Sequence, residues 1–244
     1  HRFLDATLNS DGTAATLITS GYHRTVKEME KKNNTRSTAA GADISYSAGP
    51  LNLGITAVYT RLDRNLAPDT SKTYRRFYPA GTDFANIGLH YGYRHYLFSF
   101  NGETATDRHG AIATINSLSA NISDRLTLML LHRFYSHRYT SLYAGSFSDG
   151  SRVQNENGLC LSLSWQPVNR LTVTAYTDYS RSFWPKYLIS FTSHSSDNML
   201  SATYAPRRWT VGSRYRLRFR QRDNARKTAL IAYNDHRLRL YATY

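Results

Sequence analysis

The sequence feature that best supports a chemical role is a row of arginines near the end of the chain, which could attract anions. Four arginines occupy alternate positions within residues 208–220, namely Arg214, Arg216, Arg218 and Arg220. Side chains two residues apart point to the same face of an extended strand, so these guanidinium groups would form one row. Arg237 and Arg239 would continue the row on the last segment, and these six residues form the arginine ladder. Such a surface concentrates anions and disfavours cations.

The arginine ladder also has a purely structural interpretation. Arginine side chains can fill an enclosed interior when carboxylates pair with them. The strand pattern places three carboxylates on the side that the ladder would occupy: Asp43, Glu103 and Asp178. The sequence therefore leaves two interpretations open, an anion-attracting surface and a set of structural ion pairs.

Basic residues also cluster in or beside two long polar connections. The first group is Arg24, Lys27, Lys31, Lys32 and Arg36, and the second is Arg61, Arg64, Lys72, Arg75 and Arg76. These cations would suit the phosphates of lipopolysaccharide or an acidic partner, although a solvated loop surface explains them more simply. Nucleic acid would need aromatic rings beside the cations for base stacking. In residues 208–220 the aromatic side chains alternate with the ladder and point away from it, which weakens that interpretation.

Catalytic and metal-binding motifs are weak. Nine histidines are scattered along the chain, and His132 and His137 share a strand at an odd spacing that places them on opposite faces. A single cysteine, Cys160, excludes a zinc site built from several cysteines. No glycine-rich phosphate loop is present, so no cofactor is expected. We predict no catalytic residue, no metal site and no enzyme activity, with a serine hydrolase as the least favoured alternative.

Strict alternation of apolar and polar residues dominates the 244-residue chain and predicts half-buried β-strands. In residues 159–165, for example, leucines and Trp165 oppose Cys160 and two serines. The pattern predicts about thirteen segments, at 2–9, 13–20, 36–47, 51–62, 82–93, 96–106, 110–121, 125–137, 156–166, 170–181, 196–205, 208–220 and 226–244. The last segment could instead be a hairpin that turns at Asn234 and Asp235. The one helical candidate, residues 25–32, is too short to be more than a surface turn of helix.

The connections between these segments alternate in length. Short turns are predicted at 10–12, 48–50, 94–95, 123–124, 167–169 and 206–207. Long polar connections are predicted between them at 21–35, 63–81, 138–155 and 183–195, with shorter ones at 107–109 and 221–225. Short turns on one side and longer outside loops on the other are expected of an outer-membrane barrel. Tyrosine and tryptophan near segment ends would form interfacial girdles: Tyr46, Tyr59, Tyr91, Tyr93, Tyr135, Trp165, Tyr179 and Trp209.

These features predict an all-β, antiparallel up-and-down transmembrane β-barrel, with about 12–14 strands and one domain over residues 1–244. The alternative is a soluble β-sandwich with one wet face. An arginine that faces lipid at the bilayer midplane costs about 2–4 kcal/mol, so the ladder would face the lumen. If the short turns are periplasmic, the first strand begins at the outer face. At least one upstream strand is then expected, and the chain would be part of a larger barrel.

Five stretches resemble a known group of proteins. They are residues 20–25 (SGYHRT), 53–58 (LGITAV), 74–79 (YRRFYP), 101–105 (NGETA) and 147–159 (FSDGSRVQNENGL). Together they resemble uncharacterised outer-membrane β-barrel proteins of Bacteroides-type bacteria, in which a helix-hairpin-helix domain similar to competence DNA-binding proteins precedes the barrel. The resemblance covers most of the chain, matches part of the barrel only, and brings no established catalytic residue.

The sequence thus predicts a bacterial outer-membrane barrel that acts as a pore, or as a scaffold within an envelope complex, with a cationic lumen. Its expected surroundings are outer-membrane lipid, lipopolysaccharide and other envelope proteins. A conduit that handles DNA or small anions, linked to the helix-hairpin-helix domain that the resemblance implies, is the second interpretation.

Overall fold

The alternating pattern folds into a single large sheet. The computed structural model describes residues 1–150 and 152–244. Thirteen strands lie in one sheet: β1 (Arg2–Leu8), β2 (Ala14–Ile18), β3 (Thr35–Ala48), β4 (Leu51–Leu66), β5 (Gly81–Arg94), β6 (Phe98–Asp107), β7 (Ile112–Ser123), β8 (Leu126–Tyr135), β9 (Glu156–Trp165), β10 (Leu171–Ser182), β11 (Ser193–Tyr204), β12 (Thr210–Asp223) and β13 (Leu230–Thr243). The strand count falls within the predicted range.

Strands β3 to β13 follow one another in chain order, and each pairs antiparallel with the next. Within β3 to β13, the short turns lie at one end of the sheet, which is the turn end, and the other connections lie at the opposite loop end. The predicted short turn at 10–12 lies instead at the loop end, where Arg64 donates to the carbonyl of Gly12. This arrangement confirms the predicted all-β, up-and-down architecture. The short connections in the sequence favour this order, because antiparallel neighbouring strands can be joined by short turns, whereas parallel neighbours need long crossover connections.

The first two strands depart from this order. β1 and β2 form a hairpin at the loop end, where β1 pairs with the start of β3 and Ala14 of β2 pairs with Leu66 of β4. A small apolar cluster holds the hairpin there, and its buried members are Ala6, Ala14, Leu62, Leu66 and Phe84. Alternation alone could not reveal this placement, since it identifies a strand but not the strand's partner.

Two local predictions have clear outcomes. Thr25 accepts a hydrogen bond from the backbone N–H of Glu28 and caps a four-residue helix, α1 (Val26–Met29), which confirms the predicted surface turn of helix. The last segment is the single strand β13, so the alternative hairpin at Asn234 and Asp235 is wrong. Within the described ranges, no helix combines the length and apolar character that crossing a membrane requires.

The two faces of the sheet have the reverse polarity of those in a soluble protein, because the buried face is polar and the exposed face is apolar. Cross-strand register assigns each side chain to an inner face, which includes Arg133 and Asp178, or to an outer face. Buried positions on the inner face are mostly polar, and Arg133 is 0% exposed. Outer-face apolar side chains are exposed, with Leu161 at 47% and Leu238 at 69%. Most of the predicted girdle residues lie on the outer face, but Tyr135 lies on the inner face and is 1% exposed.

One connection shows that the sheet is curled around its inner face. The inward loop joins β8 to β9 and comprises the described residues 136–150 and 152–155. Tyr143 Oη lies 2.9 Å from Ser37 Oγ of β3, and Asp149 accepts a 2.9 Å hydrogen bond from Ser195 Oγ of β11. Strands β3 and β11 would be about 38 Å apart in a flat sheet. The chain from Tyr143 to Asp149 would extend about 21 Å if it were straight. It bends at Phe147, so its two side chains reach β3 and β11 together because the sheet is curved.

The inward loop, one of the predicted long connections, folds over the inner face of the sheet. Besides Ser37 and Ser195, it reaches Asp107, which accepts two 2.9 Å hydrogen bonds from Thr140. It folds inward because the inner face supplies polar partners for its backbone, which the apolar outer face does not.

The curled sheet has two unpaired edges. Most of β3 pairs only with β4, β13 pairs only with β12, and no pairing among the described residues joins β3 to β13. Both edges therefore present unpaired backbone N–H and C=O groups, which are templates for further strands.

Candidate functional site

The arginine ladder lies on the inner face. Arg214 is the cross-strand partner of Arg239, and Arg216 is the partner of Arg237. Side chains of directly paired residues stand on the same face of a sheet. The six guanidinium groups therefore occupy one patch on β12 and β13.

Asp197 of β11 is the main counter-charge of the ladder. Its carboxylate accepts hydrogen bonds from two nitrogens of Arg216, one of them Nε at 2.7 Å, and from Arg218 Nε at 2.9 Å. Tyr176 Oη donates a further, longer bond of 3.3 Å. One carboxylate thus neutralises only half of the charge that it binds.

Two further carboxylates meet the ladder from other directions. Asp149 of the inward loop lies 3.2 Å from the Arg220 guanidinium, and Asp235 of β13 lies 2.7 Å from Arg237. Arg214 and Arg239 form no ion pair with any carboxylate among residues 1–150 and 152–244. The half of the ladder nearest the turn end therefore keeps a net positive charge.

The three carboxylates that the sequence suggested as partners lie on the inner face but away from the ladder. Asp178 binds Arg133, and Asp43 binds Thr56 and His90, with a 3.2 Å distance to His90 Nε2. Glu103 forms no ion pair within the part of the chain that the structure describes. The ladder instead uses Asp149, Asp197 and Asp235, which the sequence reasoning missed.

Arg133 forms the most deeply buried charge cluster of the inner face. Its guanidinium donates to Glu156 Oε1 at 2.5 Å and to the two carboxylate oxygens of Asp178 at 2.6 and 3.0 Å. The fork of the guanidinium matches a carboxylate in this bidentate geometry. All three side chains are nearly or fully buried, and they join β8, β9 and β10 across the inner face.

The same cluster fixes the inward loop. Glu156 also accepts hydrogen bonds from the backbone N–H groups of Asp149 and Gly150, at 2.9 to 3.2 Å. The Phe147 ring lies 4.9 Å from the Arg133 guanidinium carbon. Asp149 is thereby positioned over β11 and β12, where it meets Ser195 and Arg220. No sequence signal marked Arg133 or Glu156, because each is a lone charge in an otherwise ordinary strand.

A second cluster of side chains ties the loop-end connections together. Trp184 stacks on His137 with ring centres 5.7 Å apart, and Phe77 contacts both rings edge-on at 4.8 Å. Trp184 Nε1 donates a 2.9 Å hydrogen bond to the Thr73 carbonyl. Burial lowers the pKa of His137 below its usual 6.5, and the adjacent charge of Arg138 lowers the pKa further.

The geometry offers little to catalysis. Among the described residues, no serine hydroxyl hydrogen-bonds to a histidine, and no three His, Cys, Asp or Glu side chains are placed to hold a metal ion. Cys160 is a buried free thiol on the inner face. The arrangement can instead bind and guide charge along a polar surface.

Comparisons with known proteins found structural likeness only. No protein family matches the chain, and no curated protein does. A mutant porin of Rh. blastica is 12% identical with a TM-score of 0.38, covering 83% of this chain and 55% of the porin. The KdgM porin is 10% identical with a TM-score of 0.33, covering 86% and 96%. Acinetobacter baumannii OccAB4 is 10% identical with a TM-score of 0.39, covering 82% and 56%. The chain thus spans about half the length of the first and third of these proteins.

Replacement of Arg133 tests the buried charge cluster. Arg133→Met leaves Glu156 and Asp178 as uncompensated buried carboxylates, so it should lower the free energy of unfolding by about 3–5 kcal/mol. The measurement is urea unfolding in detergent micelles. Arg94→Met, at an exposed position near the turn end, should change stability by about 0.5 kcal/mol or less. Equal losses in the two variants would contradict the structural role of Arg133.

Acidification tests the cluster around His137. Because the folded pKa lies below 6.5, the unfolded chain takes up the proton first as the pH falls. The free energy of unfolding should therefore decrease below pH 6.5 and level off below the folded pKa. His137→Asn should flatten this dependence, and His132→Asn, on the exposed outer face, should not. Curves of equal slope for the two variants would show that His137 is not responsible.

Proposed function

We propose that this chain forms part of the wall of a bacterial outer-membrane pore whose interior favours anions. The observation that carries the proposal is the reversed polarity of the curled sheet. An exposed apolar outer face suits acyl chains, and a buried polar inner face suits an aqueous interior. In water, such an outer face would be an aggregation hazard.

The unpaired edges of β3 and β13 support the inference that this wall is incomplete. A bilayer core provides no water to satisfy free backbone groups, so a sheet can span it only as a closed barrel. Additional strands between β13 and β3 would close the ring.

The interior supports an anion preference rather than a neutral channel. Six ladder arginines face three aspartates, and the ladder's turn-end half carries the excess charge through Arg214 and Arg239. A cationic lining raises the local anion concentration in an enclosed pore. The inward loop narrows the loop end of the interior, because it crosses from β11 to β3.

The basic residues at the loop end divide into structural and free groups. Arg64 donates to the carbonyls of Asn34 and Gly12, and Arg24 pairs with Glu28. Lys27, Lys31 and Arg76 are exposed or half-buried with no carboxylate partner among the described residues. The free group suits the phosphates of lipopolysaccharide at the outer surface.

A scaffold within an envelope complex is the second candidate function, favoured by the inward loop that occupies part of the interior. A DNA-handling conduit would need the upstream helix-hairpin-helix domain that the family resemblance implies. The scaffold and the DNA-handling conduit would use the same barrel wall as the pore. A measurement of ion conductance distinguishes the pore from these two alternatives.

Paired substitutions in β9 test the membrane orientation. Leu161→Arg places a charge on the outer face and should destabilise the protein in lipid vesicles by about 2–4 kcal/mol if it lies near the midplane. Ser162→Arg places the same charge on the inner face and should cost less. Equal costs, or a monodisperse protein in buffer without detergent, would contradict a lipid-facing outer surface.

Reversal potentials across planar bilayers test the anion preference. The full-length protein with Arg214→Gln and Arg239→Gln should lose much of its preference for chloride over potassium, because the charge without carboxylate partners is removed. Arg61→Gln with Arg181→Gln removes the same charge from the outer face and should leave the preference unchanged. Equal effects would show that net charge, not the ladder, sets selectivity. Absence of any conductance would reject the pore and leave the scaffold.

A further inference from the structure

The loop end contains a cleft that borders the arginine ladder at Arg220. It has a volume of about 510 Å³ and opens between the β4–β5 connection, the inward loop and the β10–β11 connection. Sites for small ligands usually measure about 300–1,000 Å³. The cleft is therefore large enough for one monosaccharide or nucleotide.

Aromatic rings form one wall of this loop-end cleft: Tyr74, Phe77, Tyr78, Trp184 and Tyr187. Tyr74 packs edge-to-face with Tyr78 at 6.1 Å and with Tyr187 at 5.7 Å. Edge-to-face packing holds the rings in place and covers one face of only one ring in each pair. Tyr187 is 68% exposed, so its ring can contact a flat molecular surface.

Cations surround the aromatic wall. Arg152, Lys186, Arg220 and Arg222 line the cleft, and Asp149 is the one carboxylate among its described lining residues. Asp149 is engaged by Arg220, and the other three cations pair with no carboxylate in the described ranges. The Arg152 guanidinium lies 4.1 Å above the Tyr78 ring, so cationic and aromatic surfaces are adjacent. An anion bound in the cleft would lie in a net positive electrostatic potential and next to aromatic rings.

Hydrogen bonds hold the walls in place. Gln154 Nε2 donates to the carbonyls of Phe77 and His137 at 2.6 and 2.8 Å. Asn155 Nδ2 donates to the Trp184 carbonyl at 2.7 Å, and its Oδ1 accepts from the Trp184 backbone N–H at 2.8 Å. Three connections are thus fixed before any ligand binds, which reduces the entropy lost on binding.

We propose that the loop-end cleft binds a small cyclic organic anion. The ring of the ligand would stack on the tyrosine and tryptophan side chains, and its phosphate or carboxylate would bind Arg152, Lys186 and Arg222. Acidic sugars and nucleotides share this chemistry. The inference does not depend on conductance, so the cleft would bind its ligand whether the barrel is a pore or a scaffold.

The experiment uses the fluorescence of Trp184 in detergent micelles. Trp165→Phe with Trp209→Phe leaves Trp184 as the sole tryptophan of the three in the chain. The probes are glucose 6-phosphate and adenosine 5′-monophosphate, with glucose and inorganic phosphate as the matched fragments. At least one ring-bearing anion should change the fluorescence and bind at least about tenfold more tightly than either fragment, because only it engages both walls. Binding of glucose 6-phosphate would identify the ligand as an acidic sugar, and binding of adenosine 5′-monophosphate would identify it as a nucleotide.

Two charge-matched variants in that background complete the test. Arg152→Gln, Lys186→Gln and Arg222→Gln together should weaken binding by at least about tenfold. Arg94→Gln, Arg207→Gln and Arg208→Gln remove the same charge at the turn end and should leave binding unchanged. The proposal is overturned if neither anion binds at millimolar concentration, if inorganic phosphate binds equally well, or if both variants weaken binding equally. Because binding is measured without a current, a negative result leaves the bilayer test of the pore unaffected.

Discussion

The contact of Arg133 with Glu156 and Asp178 is the interaction on which the inner face depends. A fully buried guanidinium is tolerated only when its charge and its donors are satisfied, and two carboxylates on neighbouring strands satisfy them here. Glu156 has oxygen lone pairs left over, which bind the backbone of the inward loop. One buried cation therefore fixes three strands and the connection that crosses the interior.

The position of the inward loop decides how the arginine ladder is charged. Asp149 neutralises part of the ladder near the loop end, and Asp197 is shared between Arg216 and Arg218. At the turn end, Arg214 and Arg239 pair with no carboxylate of residues 1–150 and 152–244. Structural ion pairs thus form at one end of the ladder, and the proposed anion preference rests on the excess positive charge at the other.

The loop end combines three connections that lie far apart in the chain. Phe77, His137 and Trp184 pack together, and the amides of Gln154 and Asn155 bind the neighbouring backbones. The inner-face charges and the loop-end cleft consequently share one structural element, the inward loop. A ligand in the cleft would sit directly against the loop that narrows the interior.

The sequence by itself determined the strands, the antiparallel order of β3 to β13 and the face on which most side chains lie, because a period of two residues and short turns are local properties. It also identified the six ladder arginines, since their alternation is visible within the two segments 208–220 and 226–244. Their partners were decided only by the tertiary structure. Asp149 and Asp197 reach the ladder through curvature of the sheet and through the inward fold of one loop, and the β1–β2 hairpin finds its place through apolar burial. These contacts join residues distant in the chain, so no local pattern specifies them.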